Sequence, residues 1–198
     1  MQRDELLKCI GETGYNVGFG AKKHFATYDI VEKAPGLISF VATALGIYGL
    51  VWEVLAGKAL AATLAVVGVV GLYIMMYDSR KGEYDRAGLE LTQLFNRLRN
   101  LYRTVKACPD ADLPRHEAEL RTVENEYYPI TISKQILFAD WWAHYKFFWQ
   151  HQIDWIDEQK HFRLFRDKIP LSLSATVVVM MIGLAVALRC GWLVMGCA

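Results

Sequence analysis

The sequence predicts an all-α integral membrane protein: a helical hairpin, a third C-terminal transmembrane helix, and a cytoplasmic helical bundle or stalk between them. Three observations carry this. Leu37–Leu55 and Ala59–Tyr77 are apolar and stand almost back to back, separated by Ala56, Gly57 and Lys58. Each approaches the ~20 residues that cross a ~30 Å hydrocarbon core as a helix, and so short a connection forces an antiparallel pair. Leu171–Leu188 is a third uncharged run. The composition agrees. A hydrophobic content of 54% and a mean hydropathy of +0.16 are high for a soluble domain, while 22% charged residues are too many for a chain lying wholly in lipid. The charges must therefore be segregated. The net charge of +1 gives no general attraction to nucleic acid, and no direct DNA binding is expected.

Residues 1–36 form a polar preface to the hairpin. Met1–Gly11 reads as a short amphipathic helix with Leu6, Leu7 and Ile10 on one side. The following Gly14-Tyr-Asn-Val-Gly-Phe-Gly20, with Lys22 and Lys23, matches neither the Walker nor the dinucleotide spacing, and no strand precedes it. A glycine-rich break between two interfacial helices is expected instead. The first apolar run starts too late for a secretory signal peptide, and no small-residue cleavage site follows it.

The hairpin occupies 37–77. Its small residues, Ala42 and Gly46 on one run and Ala61 and Ala65 on the other, suit close helix packing, with Gly49, Gly68 and Gly71 beside them. Ser39, Thr43 and Thr63 are mild enough to face either lipid or a pore. Glu53, near the end of the first span, either sits in the interface or pairs with Lys58, or it contributes to a ring of carboxylates at a cation-selective mouth.

Residues 78–168 read as helix. From Tyr84, the positions Gly88, Leu91, Phe95, Leu98, Tyr102 and Val105 keep 4-3 spacing, a heptad seam in a helix that continues the second span and stops near Cys108-Pro109. A shorter helix covers about 114–127 before Pro129 breaks the chain. One long aromatic helix is expected over 133–168. Its stripes include Trp141, Trp142, Phe148 and Trp155 and exceed what one small neighbour can cover. With Leu91, Phe95 and Leu98 of the heptad seam, these residues predict contacts in a homo-oligomer.

The final segment, 169–198, begins its helix after Pro170, a favourable first residue because its missing N–H needs no partner. Arg189 closes the apolar run and a short tail follows. The rival reading is a hydrophobic helix docked within an oligomer. Lys22, Lys23, Lys33, Arg80, Lys81, Lys160, Arg163, Arg166 and Lys168 flank the three spans on one side, against Lys58 and Arg189 on the other. By the positive-inside rule the N-terminus and 78–168 are cytoplasmic, and the hairpin tip and C-terminus lie outside.

Catalytic patterns are weak. Glu158-x-x-His161 has the spacing of a di-iron ligand pair, but no second copy exists, and no nucleophile–base motif appears. Cys9, Cys108, Cys190 and Cys197 have no metal or disulfide spacing. Neither enzymatic activity, a metal nor a cofactor is expected. Arg97, Arg99, Arg103 and Lys106 form either a solvated helix face or a contact for a nucleotide phosphate or anionic lipid.

In its order of parts the chain resembles the SLATT family, two-transmembrane proteins associated with bacterial nucleotide-second-messenger and related conflict systems. The resemblance rests on the leader Tyr15-Asn-Val-Gly-Phe-Gly-Ala-Lys-Lys-His24, the tight hairpin, the exit Tyr77-Asp78-Ser79, and Leu91-Thr-Gln-Leu-Phe-Asn96. It continues through Ile132-Ser-Lys-Gln-Ile136, Asp140-Trp-Trp-Ala-His-Tyr-Lys146 and Gln152-Ile-Asp-Trp-Ile-Asp-Glu158, over roughly residues 1–170. It implies an inner-membrane effector of antiphage defence. A nucleotide second messenger or a nucleotide-signalling protein partner would trigger it to permeabilise the bilayer. The third span departs from the two-span pattern. The alternative is a non-conducting membrane adaptor that recruits a cytoplasmic partner.

Overall fold

A computed structural model describes residues 2–53, 57–107 and 109–189. The described residues are mostly helical, and none of them is in a strand. The tip residues 54–56, Cys108 and the tail 190–198, including Cys190 and Cys197, lie outside them.

The first helix, α1 (Arg3–Gly49), runs unbroken for 47 residues, about 70 Å at 1.5 Å per residue. The expected glycine-rich break is absent because the glycines serve packing. A methyl group on Gly14 would lie 2.2 Å from the Trp155 ring, and one on Gly18 2.6 Å from Phe95. The backbone approach they permit offsets the roughly 1 kcal/mol that each glycine costs a helix. Leu6, Ile10, Val17, Ala26 and Val31 are buried along this first part, so it is the core of a bundle rather than an interfacial helix. Beyond Pro35 the same helix becomes apolar and exposed. The helical part of the first span ends at Gly49, earlier than the expected Leu55, with Leu50–Trp52 turning back on Ile47 and Tyr48 carbonyls.

The second helix, α2 (Lys58–Met75), returns beside α1, with Gly71 against Ile38. One turn of 3-10 helix, Asp78–Arg80, joins it to α3 (Lys81–Ala107), so the second span does continue into the polar region. The α3 helix lies antiparallel to α1: Phe25 meets Gly88, Gly20 meets Leu91 and Gly18 meets Phe95. Its heptad seam is real, but α1 covers it. Leu91, Phe95 and Leu98 are buried within the chain and are not free to contact a second copy.

After a 3-10 turn at Asp110–Asp112, α4 (Leu113–Ile130) packs back on α3 and includes Pro129 in its last turn, past the expected stop. The expected long aromatic helix is instead broken. Residues 131–136 are irregular and turn at 137–138, followed by α5 (Ala139–Gln150) and α6 (Asp154–Lys160), which descend α1 in the opposite sense. The physical reason lies in the side chains below the break at 151–153. Ile153 and Ile156 are buried, and Trp155 fits over Gly14 between Phe95 and Tyr102, with ring centroids at 5.5 and 5.3 Å. Phe148 is buried as well, so neither it nor Trp155 offers the outward face expected of an oligomer contact.

The described residues from His161 onward form a separate compact unit. In it, α7 (Leu164–Asp167) is closed by the Arg163 N–H donating to the Asp167 carboxylate at 2.9 Å. The 19 residues of α8 (Leu171–Arg189) are apolar and exposed along their described length. The hydroxyl of Thr176 donates to the Ser172 carbonyl at 2.8 Å, so the polar start of this helix satisfies itself locally.

Candidate functional site

The exposed hairpin and the buried bundle meet where α1 and α2 leave the apolar region, and there the non-helical segment 131–138 is fastened. A non-helical segment outside any sheet needs partners for its backbone groups, and side chains from α1, α2 and α3 supply them. The His24 ring bridges two elements. Its Nδ1 sits 2.7 Å from the Gly20 carbonyl, so Nδ1–H donates there and Nε2 accepts from the Ile132 N–H at 3.0 Å. The Tyr84 hydroxyl donates to the Lys134 carbonyl at 2.5 Å, and that of Tyr77 to the Gln135 carbonyl at 3.4 Å. The Leu137 N–H donates to the Tyr73 hydroxyl at 3.3 Å. Thr27 donates to the Gln135 side-chain oxygen, and the Gln135 amide donates to the Ile132 carbonyl at 2.7 Å. Ile136, Ala139 and Ala143 then close an apolar cluster with Ala26, Val31, Ile74 and Tyr84.

A belt of ion pairs surrounds this junction. Asp29 is bonded by Lys33 at 2.6 Å and by Lys146, Lys81 reaches Glu32 at 2.9 Å and Asp78 at 3.0 Å, and Lys23 reaches Asp140 at 2.8 Å. Burial alone would raise the Asp29 carboxyl, but the ammonium groups of Lys146 and Lys33 hold it below the usual carboxylate range. Hydrogen bonds to Glu32 and Asp78 push the Lys81 ammonium up. Burial lowers the His24 imidazole and keeps it neutral, as its accepting Nε2 requires.

The hairpin residues singled out by sequence are exposed. Glu53 and Lys58 stand at the tip without an ion pair among the described residues. Ser39 and Thr43 are exposed on α1. Thr63 bonds the Ala59 carbonyl at 2.9 Å, so its hydroxyl is occupied by its own helix. Near the tip Tyr48 and Trp52 stack at 4.9 Å, and at the other end Tyr73 and Tyr77 pair edge to face at 5.7 Å. Aromatic rings at both ends of an apolar hairpin suit the two interfaces of a bilayer.

The cationic set on α3 is dispersed among different partners. Arg97 is held by Glu119 at 3.3 Å and Glu126 at 3.1 Å across to α4, and Lys106 bonds Glu158 at 2.5 Å. Arg103 is exposed. The Arg99 Nε is enclosed without a hydrogen-bond partner. A cleft of about 520 Å3 opens between α3 and α4, where Asn96, Asn100 and the buried His116 join Arg97 and Glu119. Among the oligomer candidates, Trp142 is exposed and Trp141 half-buried. Tyr145 and Trp149, at helical spacing with Trp142 on α5, are exposed too, as is Phe138, which precedes the helix with a left-handed backbone.

No group of three or more candidate metal ligands occurs among the described residues. Among the described residues two helices are long and apolar enough to cross a membrane, both almost wholly exposed over their apolar windows. The model of the SMODS and SLOG-associating 2TM effector domain 6 matches residues 1–177. The chain belongs to the SLATT family. No curated protein and no solved structure matches the sequence. The SLATT match accounts for the fold's two apolar helices and ends within α8. Three of the segments that carried the resemblance converge at the junction: the leader through His24, the exit at Tyr77-Asp78 and the stretch Ile132–Ile136. His24 and Gln135 lie in segments that carried the resemblance and Tyr84 begins the α3 seam, but nothing in the sequence marks them, or Thr27, as a site, because the partners that bring them together are distant in sequence.

Proposed function

We propose that this SLATT protein is an oligomeric bacterial inner-membrane effector whose hairpin opens a conducting path in antiphage defence. The N-terminus and the bundle lie in the cytoplasm, and α8 crosses the bilayer as a third span. The observation that supports this most strongly is the mechanical continuity of the two spans with the bundle. The α1 helix runs from the bundle core into the hairpin without interruption, and α2 passes into α3 through one 3-10 turn. A rearrangement of the bundle would therefore reach the hairpin directly, whereas a simple anchor needs no such coupling.

Self-association would use the exposed stripe Phe138, Trp142, Tyr145 and Trp149, because the α3 seam is consumed within the chain. Ser39, Thr43 and Glu53 would then face the path, with Lys58 beside its mouth. The α3–α4 cleft is the candidate receptor for a nucleotide signal, with Asn96 and Asn100 to read a base and Arg97 on its wall. The family's name, SMODS and SLOG-associating, supports a signalling partner.

Membrane potential in bacteria expressing the chain tests the proposal. Depolarisation is expected with the wild-type chain and is lost with Trp149→Glu, which charges the exposed stripe without touching the core. Native mass spectrometry in nanodiscs should show an oligomer for the first and a monomer for the second. A wild-type monomer that leaves the potential intact would overturn the proposal.

A further inference from the structure

We propose that the apolar cavity between α2 and residues 136–138 binds the acyl chain of a membrane phospholipid. This rests on the hairpin crossing a bilayer. The cavity holds about 400 Å3, within the roughly 300–1,000 Å3 of small-molecule sites. Its walls are Val69 and Val70 of α2, Ile30 of α1, and Ile136, Leu137 and Phe138. Almost nothing polar faces it, and its single hydroxyl, that of Tyr73, is already bonded to the Leu137 N–H. Water would find no partners there.

The occupant follows from what the cavity joins. Val69 and Val70 belong to the exposed face of α2, continuous with Val66, Leu72 and Met76, so the medium at the cavity mouth is the medium around the hairpin. For a transmembrane helix that medium is lipid. On the far wall, Leu137 is 61% exposed and Phe138 53% exposed, beside the last two turns of the span. Phe138 is held at φ 68°, a left-handed backbone that costs a bulky residue energy. Fastened by Tyr73 and Tyr77, this segment presents two large apolar side chains at the depth of α2. Lys134 completes the amphiphile's complement. Its ammonium lies 5.2 Å from the centre of the Tyr77 ring and has no carboxylate partner among the described residues. A lipid phosphate is the counter-ion that the bilayer surface supplies.

The full chain, reconstituted in vesicles of phosphatidylethanolamine and phosphatidylglycerol with a trace of a phospholipid carrying a diazirine in its acyl chain, provides the test. Photolysis and peptide mapping are expected to place adducts on Ile136–Phe138 as well as on the outer face of α2 at Val66 and Met76. Val70→Trp and Val69→Trp each fill the cavity and should abolish the Ile136–Phe138 adducts while the Val66 and Met76 adducts persist, which also shows that the variant hairpin is inserted. Adducts at Val66 and Met76 with none at Ile136–Phe138 in the wild type would overturn the site. So would Ile136–Phe138 adducts that survive both tryptophans. Adducts nowhere on α2 would instead overturn the membrane reading on which the site rests.

Discussion

Gly14 and Gly82 are both helical glycines, yet their surroundings give opposite expectations for the same substitution. A methyl on Gly14 would meet the Trp155 ring at 2.2 Å, and that ring cannot swing away because Phe95 and Tyr102 pack against it. Gly14→Ala should therefore destabilise the bundle by about 1–3 kcal/mol through overpacking, outweighing its helix gain. Gly82→Ala meets open space and should gain about 0.5–1 kcal/mol from helix propensity alone. Chemical denaturation of the detergent-solubilised chain, followed by circular dichroism, separates the two. His24 makes a second residue-scale prediction. Removing its ring leaves the Ile132 N–H without an acceptor, so His24→Ala should cost about 1–3 kcal/mol. The pH dependence has a definite sign. Burial depresses the His24 pKa below its ordinary 6.5, helped by Lys23 and opposed by the Gly20 carbonyl, and Tyr84 also faces the ring. Burial, then Lys22 and Arg99, lowers His151 to about 4. Below pH 6.5 the unfolded chain binds protons that the folded chain refuses, so stability is full above that value and falls as acid is added. Melting temperature should drop from about pH 7 to about pH 5, and His24→Gln should flatten part of that drop. A slope unchanged by His24→Gln would contradict the role of a neutral His24.

At the scale of elements, segment 131–138 is the piece held almost entirely by side chains from elsewhere. Gln135→Ala removes the acceptor for Thr27 and the donor to the Ile132 carbonyl at once. Amide exchange at Ile132 and Leu137 should then accelerate well beyond that of the α3 amides, and equal protection would show that the apolar cluster alone holds the segment. This segment also marks where the sequence ceased to be legible. The hairpin, the α3 seam and its stop near Cys108 followed from hydropathy and 4-3 spacing, since those patterns report directly which residues avoid water. The seam's partner did not follow, because periodicity defines a buried face without saying what buries it. Leu91, Phe95 and Leu98 looked like an intersubunit stripe and proved to be the bed of α1. The glycines of α1 read as a break for the same reason: their value lies in Trp155, Phe95 and Phe147, distant in sequence. The aromatic run after Ser133 has no proline or glycine before Pro170, so its break between α5 and α6 was fixed by tertiary demands on Ile153, Trp155 and Ile156. Of the candidate site, the polar junction around His24 and Gln135 was not legible.

Across the molecule, charge and apolar surface are separated along α1, which begins in the bundle core and ends in the exposed hairpin. Most of the basic residues near the junction are already paired, each exposed pair contributing at most about 1 kcal/mol, so the belt sets orientation more than stability. What demands explanation at this scale is the coupling: both hairpin helices enter the bundle with little or no interruption. Potassium efflux from proteoliposomes containing the purified full chain tests that account most directly. It predicts efflux that rises steeply with protein density, falls when Trp149→Glu blocks assembly, and changes cation preference with Glu53→Gln. Vesicles that stay tight at every density, with the hairpin demonstrably inserted, would contradict it.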